Sequence, residues 1–317
     1  MDLEKVNVEK ELKIVFMGTP MFAVPILEAL IQNYHVRAIV TQPDRAVGRE
    51  QKITYPPVKK VGLEHTILVL QPARLSEEYQ EIIDLHPDLI ITCAYGQIIP
   101  KELLKEPRLG CINVHPSLLP KLRGGAPIHH AIIDGYKETG VTIMYMNERM
   151  DEGDIISQRK CEITDTDTAE TLHNKLSIIG RDLLLETLPS IINGTNSRTP
   201  QDRSQVTYGM NITREDEQIS FDKTKREIHN QIRGLNNFPG AFCYLEGKIL
   251  KVWDSYITYE NYPNLLNGQI TKIYPDGFGV KVSNGEIVFK TVQLEGKTKM
   301  NAYEFANGRD LVGKILS

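Results

Sequence analysis

Asn113 and His115, one residue apart, open the run Asn113-Val114-His115-Pro116-Ser117-Leu118-Leu119-Pro120. The apolar segment Cys111 to Val114 reads as a strand, so the run falls at a strand's carboxyl end, and alternation along a strand puts Asn113 and His115 on one side. An asparagine there offers amide hydrogens to a carbonyl oxygen that becomes negative, and a histidine gives or takes a proton near neutral pH. Two polar groups then face one point. On spacing alone a blander alternative stays open, in which Asn113 satisfies a turn and His115 a loop.

A second cluster, Asp151-Glu152-Gly153-Asp154, supplies carboxylates. Asp151 placed beside His115 would orient the imidazole and strengthen it as a base, whereas a solvated turn is the plainer use of such a sequence. Glu148 and Glu152 read as surface residues. Arg123-Gly124-Gly125-Ala126-Pro127 gives a flexible turn into a helix, which lets backbone approach a ligand closely. His129 and His130 match no metal-ligand spacing and read as structural or peripheral, so no metal site is expected. Gly18-Thr19-Pro20 ends a strand where a dinucleotide site would begin, but it lacks the further glycines of that motif. The polar insertion Gln42 to Lys52 is basic at Arg45, Arg49 and Lys52; it is either a mobile surface loop or an element that meets phosphates and bases.

These residues need a scaffold, and the first part of the chain provides the pattern of one. Apolar runs predict strands at Lys13 to Met17, Val36 to Thr41, Ile67 to Leu70, Leu89 to Cys93 and Cys111 to Val114. Helices fit between them at Pro20 to Asn33, Ser76 to Leu85 and Ala126 to Asp134. Further strands follow at Val141 to Met146 and Ile155 to Ile163, then a long helix from Thr168 to Ile192, opened by a capping region at Asp165 to Thr168. Uninterrupted apolar strands imply burial on both faces, hence an α/β doubly wound, mainly parallel sheet that binds ligands at its strands' carboxyl ends.

Residues 194–213 turn polar and irregular and read as a linker between a first domain, 1–193, and a second, 214–317. Residues 1–11 read as an N-terminal extension. After a helix at Lys223 to Leu235, the second domain has short runs at Ala241 to Leu245, Ile249 to Tyr256, Gln269 to Tyr274, Gly279 to Val282 and Ile287 to Leu294. Glycine, asparagine and aspartate separate them, which predicts a small β-barrel.

Composition narrows the class. The 317 residues are 41% hydrophobic and 25% charged, with no apolar run long enough to span a bilayer. Near the N-terminus, the run Ile14 to Leu27 is broken by Pro20 and Pro25 and lacks a basic flank, so it does not read as an export signal. Cys93, Cys111, Cys161 and Cys243 are widely spaced and read as reduced, buried thiols of a cytoplasmic protein. The formal charge of −4 does not advertise a nucleic-acid binder, and residues 214–317 hold 14 Lys+Arg against 13 Asp+Glu. Any RNA contact must come from a local patch.

Taken together, Asn113-x-His115, Ser117-Leu118-Leu119-Pro120, Arg123-Gly124 and Asp151 resemble the pattern shared by folate-dependent formyltransferases, including those acting on glycinamide ribonucleotide and sugar nucleotides. Other stretches resemble the methionyl-tRNA formyltransferase family in particular. They are Phe16 to Pro20, Thr41 to Arg45 leading to Gly48-Arg49, Pro57-Val58-Lys59, Ala94-Tyr95-Gly96, and Ile232 to Asn236 with Phe238 to Ala241. The resemblance implies a Rossmann-like formyltransferase domain joined to an OB-like β-barrel that binds tRNA. It implies 10-formyltetrahydrofolate as donor, released as tetrahydrofolate, and charged initiator tRNA as acceptor, in a monomeric bacterial enzyme of translation initiation. It assigns catalysis to Asn113, His115 and Asp151, folate contact to Ser117, Leu118, Leu119 and Pro120, and tRNA contact to Arg45, Arg49 and Lys52, with Arg49 as the key arginine. The chain departs from the family's usual residues at Glu50, Gln51, Tyr55 and Asn237-Phe238. A sugar-nucleotide or other small-amine formyltransferase, and a non-catalytic RNA-binding protein on the same fold, are the alternatives.

Overall fold

A computed structural model describes residues 12–47 and 52–317. Five parallel strands form the heart of the first sheet: β1 (Ile14–Gly18), β2 (Val36–Val40), then beyond a hairpin of β3 (Arg45–Val47) and β4 (Lys52–Thr54), β5 (Leu68–Leu70), β6 (Leu89–Cys93) and β7 (Cys111–His115). β8 (Glu138–Tyr145) pairs antiparallel with β7, and β9 (Ile155–Glu162) completes the order β5-β2-β1-β6-β7-β8-β9. Every residue of β1 and β6 is buried, as strands covered on both faces require. Sequential strands run outward from β1 in both directions, and the order reverses there, the doubly wound arrangement expected.

The connecting helices are Val24–Asn33, with Pro25 in its first turn, then Pro57–Glu64, Gln80–Ile83 and Lys101–Lys105. The sequence reading places no helix at Pro57–Glu64 or Lys101–Lys105, and two further elements differ from it. The helix anticipated from Ser76 to Leu85 is only Gln80–Ile83, because the Arg74 carbonyl takes the amides of both Glu77 and Glu78 in a separate tight turn. Among the described residues of the basic insertion and just after it, β3 pairs antiparallel with β4, with Arg45 opposite Thr54 and Val47 opposite Lys52. The long helix Ala169–Ile192 starts where expected: Thr168 Oγ1 accepts from the Thr171 amide, and Thr171 Oγ1 accepts from the Thr168 amide.

Close packing groups the chain into two compact units. One comprises the described residues up to Gly124, Thr139–Cys161 and His173–Tyr208; the other comprises Gly125–Glu138, Glu162–Leu172 and Gly209–Ser317. The polar stretch 194–213 is thus divided between them. In the second unit a six-stranded antiparallel sheet runs β10 (Ala241–Leu245), β11 (Lys248–Ile257), β14 (Gly285–Leu294), β13 (Gly277–Val282), β12 (Ile270–Tyr274), with β15 (Met300–Asn301) on β14. Its core gathers Phe278, Phe289 and Phe305 with Ile228 and Ile232 of the helix Lys225–Gly234. Thr224 and Glu227 start that helix with a reciprocal capping box.

Candidate active site

β7 carries Asn113 and His115 to its carboxyl end, on one side of the strand as alternation requires. Thr92 of β6 is the in-register neighbour of Asn113, and its hydroxyl donates to Asn113 Oδ1 over 2.9 Å. Pinning the amide oxygen this way turns the Nδ2 hydrogens outward, and no acceptor among the described residues takes them. They are free to meet a developing oxyanion.

His115 is 4% exposed, and its Nε2 lies 3.0 Å from the Leu122 carbonyl oxygen. A carbonyl only accepts, so Nε2 carries a hydrogen and is spent on that bond. Chemistry is left to Nδ1, which lies 3.7 Å from Asp151 Oδ1. This differs from a relay in which the carboxylate holds one ring nitrogen and the substrate meets the other. Here the carboxylate and the available nitrogen share one edge, an arrangement that can pass a proton between His115 and Asp151 or onto a third group between them.

The Asp151 carboxylate is fixed from its other oxygen, since Oδ2 accepts from the Gly124 amide at 2.9 Å. Its backbone is left-handed (φ 52°), as is that of Leu122 (φ 58°), the residue holding the far side of His115. An aspartate tolerates this region, whereas a leucine adopts it only when surrounding contacts force it. Gly153, two residues on, has no alternative side chain: a Cβ there would sit 1.8 Å from the Tyr145 carbonyl oxygen.

Residues 117–120 follow His115 closely in the chain and are bonded into the fold. Ser117 is fully buried and its hydroxyl donates to the Lys121 carbonyl; the Leu119 amide donates to Thr142 Oγ1 and the Leu119 carbonyl accepts from Gln158. Leu118 and Pro120 keep part of their surface exposed. Glu152 is engaged by Arg149 and Arg203, and Glu148 by Lys101, so neither joins the group at His115. His129 Nδ1 and His130 Nε2 are each bonded to a backbone carbonyl, of Gly234 and Met210 respectively.

Arg45 and Lys52 are both exposed, and the pairing register puts them on one face of the hairpin. Arg49 lies outside the described residues. Lys59 anchors the hairpin's base, bonding Asp44 and Gln71 at 2.7 Å each and lying over the Tyr55 ring. Hydrogen bonds from Lys59 and then Gln71 hold the Asp44 carboxyl below the usual carboxylate range. Sequence reasoning singled out none of Thr92, Leu122, Gln201 or Thr207, the residues that hold the group in place. Only Thr92 left a trace, as a polar residue inside the otherwise apolar run of β6.

Residues 12–188 match the formyl transferase family and residues 211–310 its C-terminal domain. A methionyl-tRNA formyltransferase of Staphylococcus aureus (strain JH1) is 50% identical over 309 residues, 96% of this chain and 99% of that one. The chain belongs to the methionyl-tRNA formyltransferase family. A second member, from Lysinibacillus sphaericus (strain C3-41), is 52% identical over 299 residues, 93% of this chain and 95% of that one. Among solved structures, the sugar 3N-formyl transferase WlaRD, determined with dTDP and 5-N-formyl-THF, has the same fold at a TM-score of 0.67 and 23% identity, covering 90% of this chain and 99% of that one. HypX from Aquifex aeolicus, in complex with tetrahydrofolic acid, matches at a TM-score of 0.66 and 16% identity over 94% of this chain and 47% of that one.

Proposed function

We propose that this chain moves the formyl group of 10-formyltetrahydrofolate onto the free amino group of methionyl-initiator tRNA. The observation that carries the proposal is that Asn113 lies on the same side of β7's carboxyl end as His115, whose Nδ1 faces the Asp151 carboxylate at 3.7 Å. That trio supplies what formyl transfer between nitrogens demands.

The folate supplies an activated formyl group. As the neutral methionyl amine adds to the formyl carbon, a C–N bond forms and the carbonyl oxygen becomes negative. Asn113 Nδ2 donates to that oxygen; losing such a donor typically costs about 10²- to 10³-fold in rate. The amine nitrogen, now positive, gives a proton to the Asp151–His115 edge. That edge returns a proton to the departing folate nitrogen as the old C–N bond breaks, so no proton is gained or lost overall. Asp151 is suited to the exchange because Gly124 holds one oxygen while the other faces His115 Nδ1.

In this reading Leu118 and Pro120 offer apolar surface to the folate, while Ser117 and Leu119 hold the loop in shape. Arg45, Arg49 and Lys52 contact tRNA from the insertion, and the C-terminal antiparallel domain extends the contact. The functional division is a catalytic part centred on the domain expected at 1–193 and joined by residues 194–208, and a tRNA-binding part expected at 214–317.

The test incubates purified protein with 10-formyltetrahydrofolate and either methionyl-initiator tRNA or a panel of free amines and amino sugars, following tetrahydrofolate release. Release that depends on charged tRNA is the expected result. Release only with a small amine would keep the trio and overturn the acceptor.

A further inference from the structure

The segment 199–208 follows the long helix and has the polar, irregular composition of a linker. It is instead bonded along the site. The Thr199 amide and carbonyl exchange bonds with Ile155, at 2.9 and 2.8 Å. Gln201 Nε2 donates to the carbonyls of Asp151 and Gly153, each at 2.8 Å, while Gln201 Oε1 accepts from Arg123 Nε at 3.1 Å and Nη2 at 2.7 Å. Thr207 Oγ1 accepts from the Leu122 amide at 2.9 Å, and the Thr207 carbonyl accepts from the Arg123 amide at 2.9 Å.

The Gln201 amide can point only one way. Arginine has donors and no acceptor, and a carbonyl has acceptors and no donor, so rotating the amide would oppose like to like on both sides. All four contacts are lost together in that orientation.

What this segment grips are the two left-handed, non-glycine residues flanking His115. Leu122, whose carbonyl holds His115 Nε2, is tied at its amide by Thr207; Asp151, which faces Nδ1, is tied at its carbonyl by Gln201. Left to local preference, a leucine would leave this region, and His115 would lose the partner that fixes its ring. We infer that the segment 199–208 is a strap that sets the distance between His115 and Asp151, with Gln201 and Thr207 as positioning residues for formyl transfer. The inference rests on the proposed reaction for its readout. Neither residue touches the reacting atoms; each acts through the backbone of a residue that does.

The test compares Gln201→Met, Gln201→Glu, Thr207→Val and Thr207→Ser with the wild type, measuring kcat, both KM values and the melting temperature. Gln201→Met and Thr207→Val should lower kcat about 10- to 100-fold, the scale of an ångström-sized misplacement, with both KM values within about two-fold of wild type. Thr207→Ser, which keeps the acceptor, should restore kcat. Gln201→Glu separates positioning from simple support of Arg123. It strengthens the arginine contact and keeps the melting temperature, yet sets a carboxylate oxygen against two carbonyls, so its kcat should fall at least as far as that of Gln201→Met. In an Asp151→Asn background, single-turnover rates should show little further loss from Gln201→Met. A Gln201→Glu enzyme with wild-type kcat, or a Gln201→Met effect undiminished in Asp151→Asn, would overturn the inference. If the wild type formylates a different amine, the same comparison on that amine decides the strap independently of the acceptor.

Discussion

Replacing Thr92 by valine removes one hydroxyl and almost no volume, at a position 3% exposed. The change acts on Asn113. With the hydroxyl present, Asn113 Oδ1 faces Thr92 at 2.9 Å and the Nδ2 hydrogens face the site. With valine, the same orientation leaves the amide oxygen against a methyl group, and an unsatisfied polar group of this kind costs about 1–3 kcal/mol. Asn113 escapes the penalty by rotating its amide, which turns the oxygen toward the place where negative charge must develop. The productive orientation then has to be recovered in each turnover at that cost. Since about 1.4 kcal/mol is a factor of ten in rate, kcat should fall roughly 5- to 150-fold, and no further than in Asn113→Ala. Thr92→Ser retains the donor and should stay close to wild type.

The assay is single-turnover formylation at saturating acceptor and donor, with KM values measured separately, in Thr92→Val, Asn113→Ala and the double variant. Both KM values should hold, because Thr92 is buried and the amide gains its value only as the oxyanion forms. In Asn113→Ala the Thr92 substitution should have no further effect. A Thr92→Val enzyme with unchanged kcat, or one whose loss simply multiplies with that of Asn113→Ala, would refute the reasoning, because the hydroxyl would then act elsewhere, on the Ile112 carbonyl or Met146 sulfur it also approaches.

Asp151→Asn keeps an oxygen for the Gly124 amide but removes the charge facing His115 Nδ1; kcat should drop by about 10²- to 10⁴-fold, the usual worth of a positioned proton-transfer group, while tRNA affinity measured by filter binding stays level. Arg45→Ala and Lys52→Ala should do the opposite, raising KM for charged tRNA with kcat kept, and each should flatten the plot of log affinity against log salt by about one phosphate contact; an unchanged salt dependence would leave the hairpin as plain surface. Burial pushes the Cys111 thiol up to about 12, and those of Cys93 and Cys243 higher still. These three thiols stay neutral in the folded protein and should resist alkylation at pH 8 until denaturant is added. The sign for stability follows, since raised thiol pKa values favour folding fully below the ordinary value near 9 and that contribution is lost as pH climbs toward 12. Urea midpoints should therefore fall over that alkaline window, and should fall less in a Cys111→Ala variant once its lower baseline is subtracted.

The elements that present the site were legible because their signals are local. A run such as Ile14 to Gly18 or Leu89 to Cys93 is apolar at every position, and only a strand covered on both faces uses such a run. Alternation then set Asn113 and His115 on one side without knowledge of any neighbour. The second domain's strands were visible for a related reason: glycine and asparagine mark where each chain reversal falls. The hairpin β3–β4 was not legible. Its strands have three residues each, and the charged and polar composition of Gln42 to Lys52 fits an open loop equally well.

What composition hides is which backbone groups a distant side chain will satisfy. A glutamine and a threonine in a polar stretch look like a linker, and from one sequence nothing reports that Gln201 will meet Asp151 50 residues away or that Thr207 will meet Leu122 85 residues away. The two residues they hold, Leu122 and Asp151, are both left-handed, a conformation that local preference opposes in the leucine. The residues that perform chemistry therefore announce themselves by type, since only a few side chains donate to an oxyanion or carry a proton near neutral pH. Those that position them do not, because almost any hydrogen-bonding side chain can hold a carbonyl. The site's precision accordingly depends on contacts that substitution in the catalytic residues would never reveal, and the Gln201→Glu enzyme tests that dependence with Asn113, His115 and Asp151 all intact.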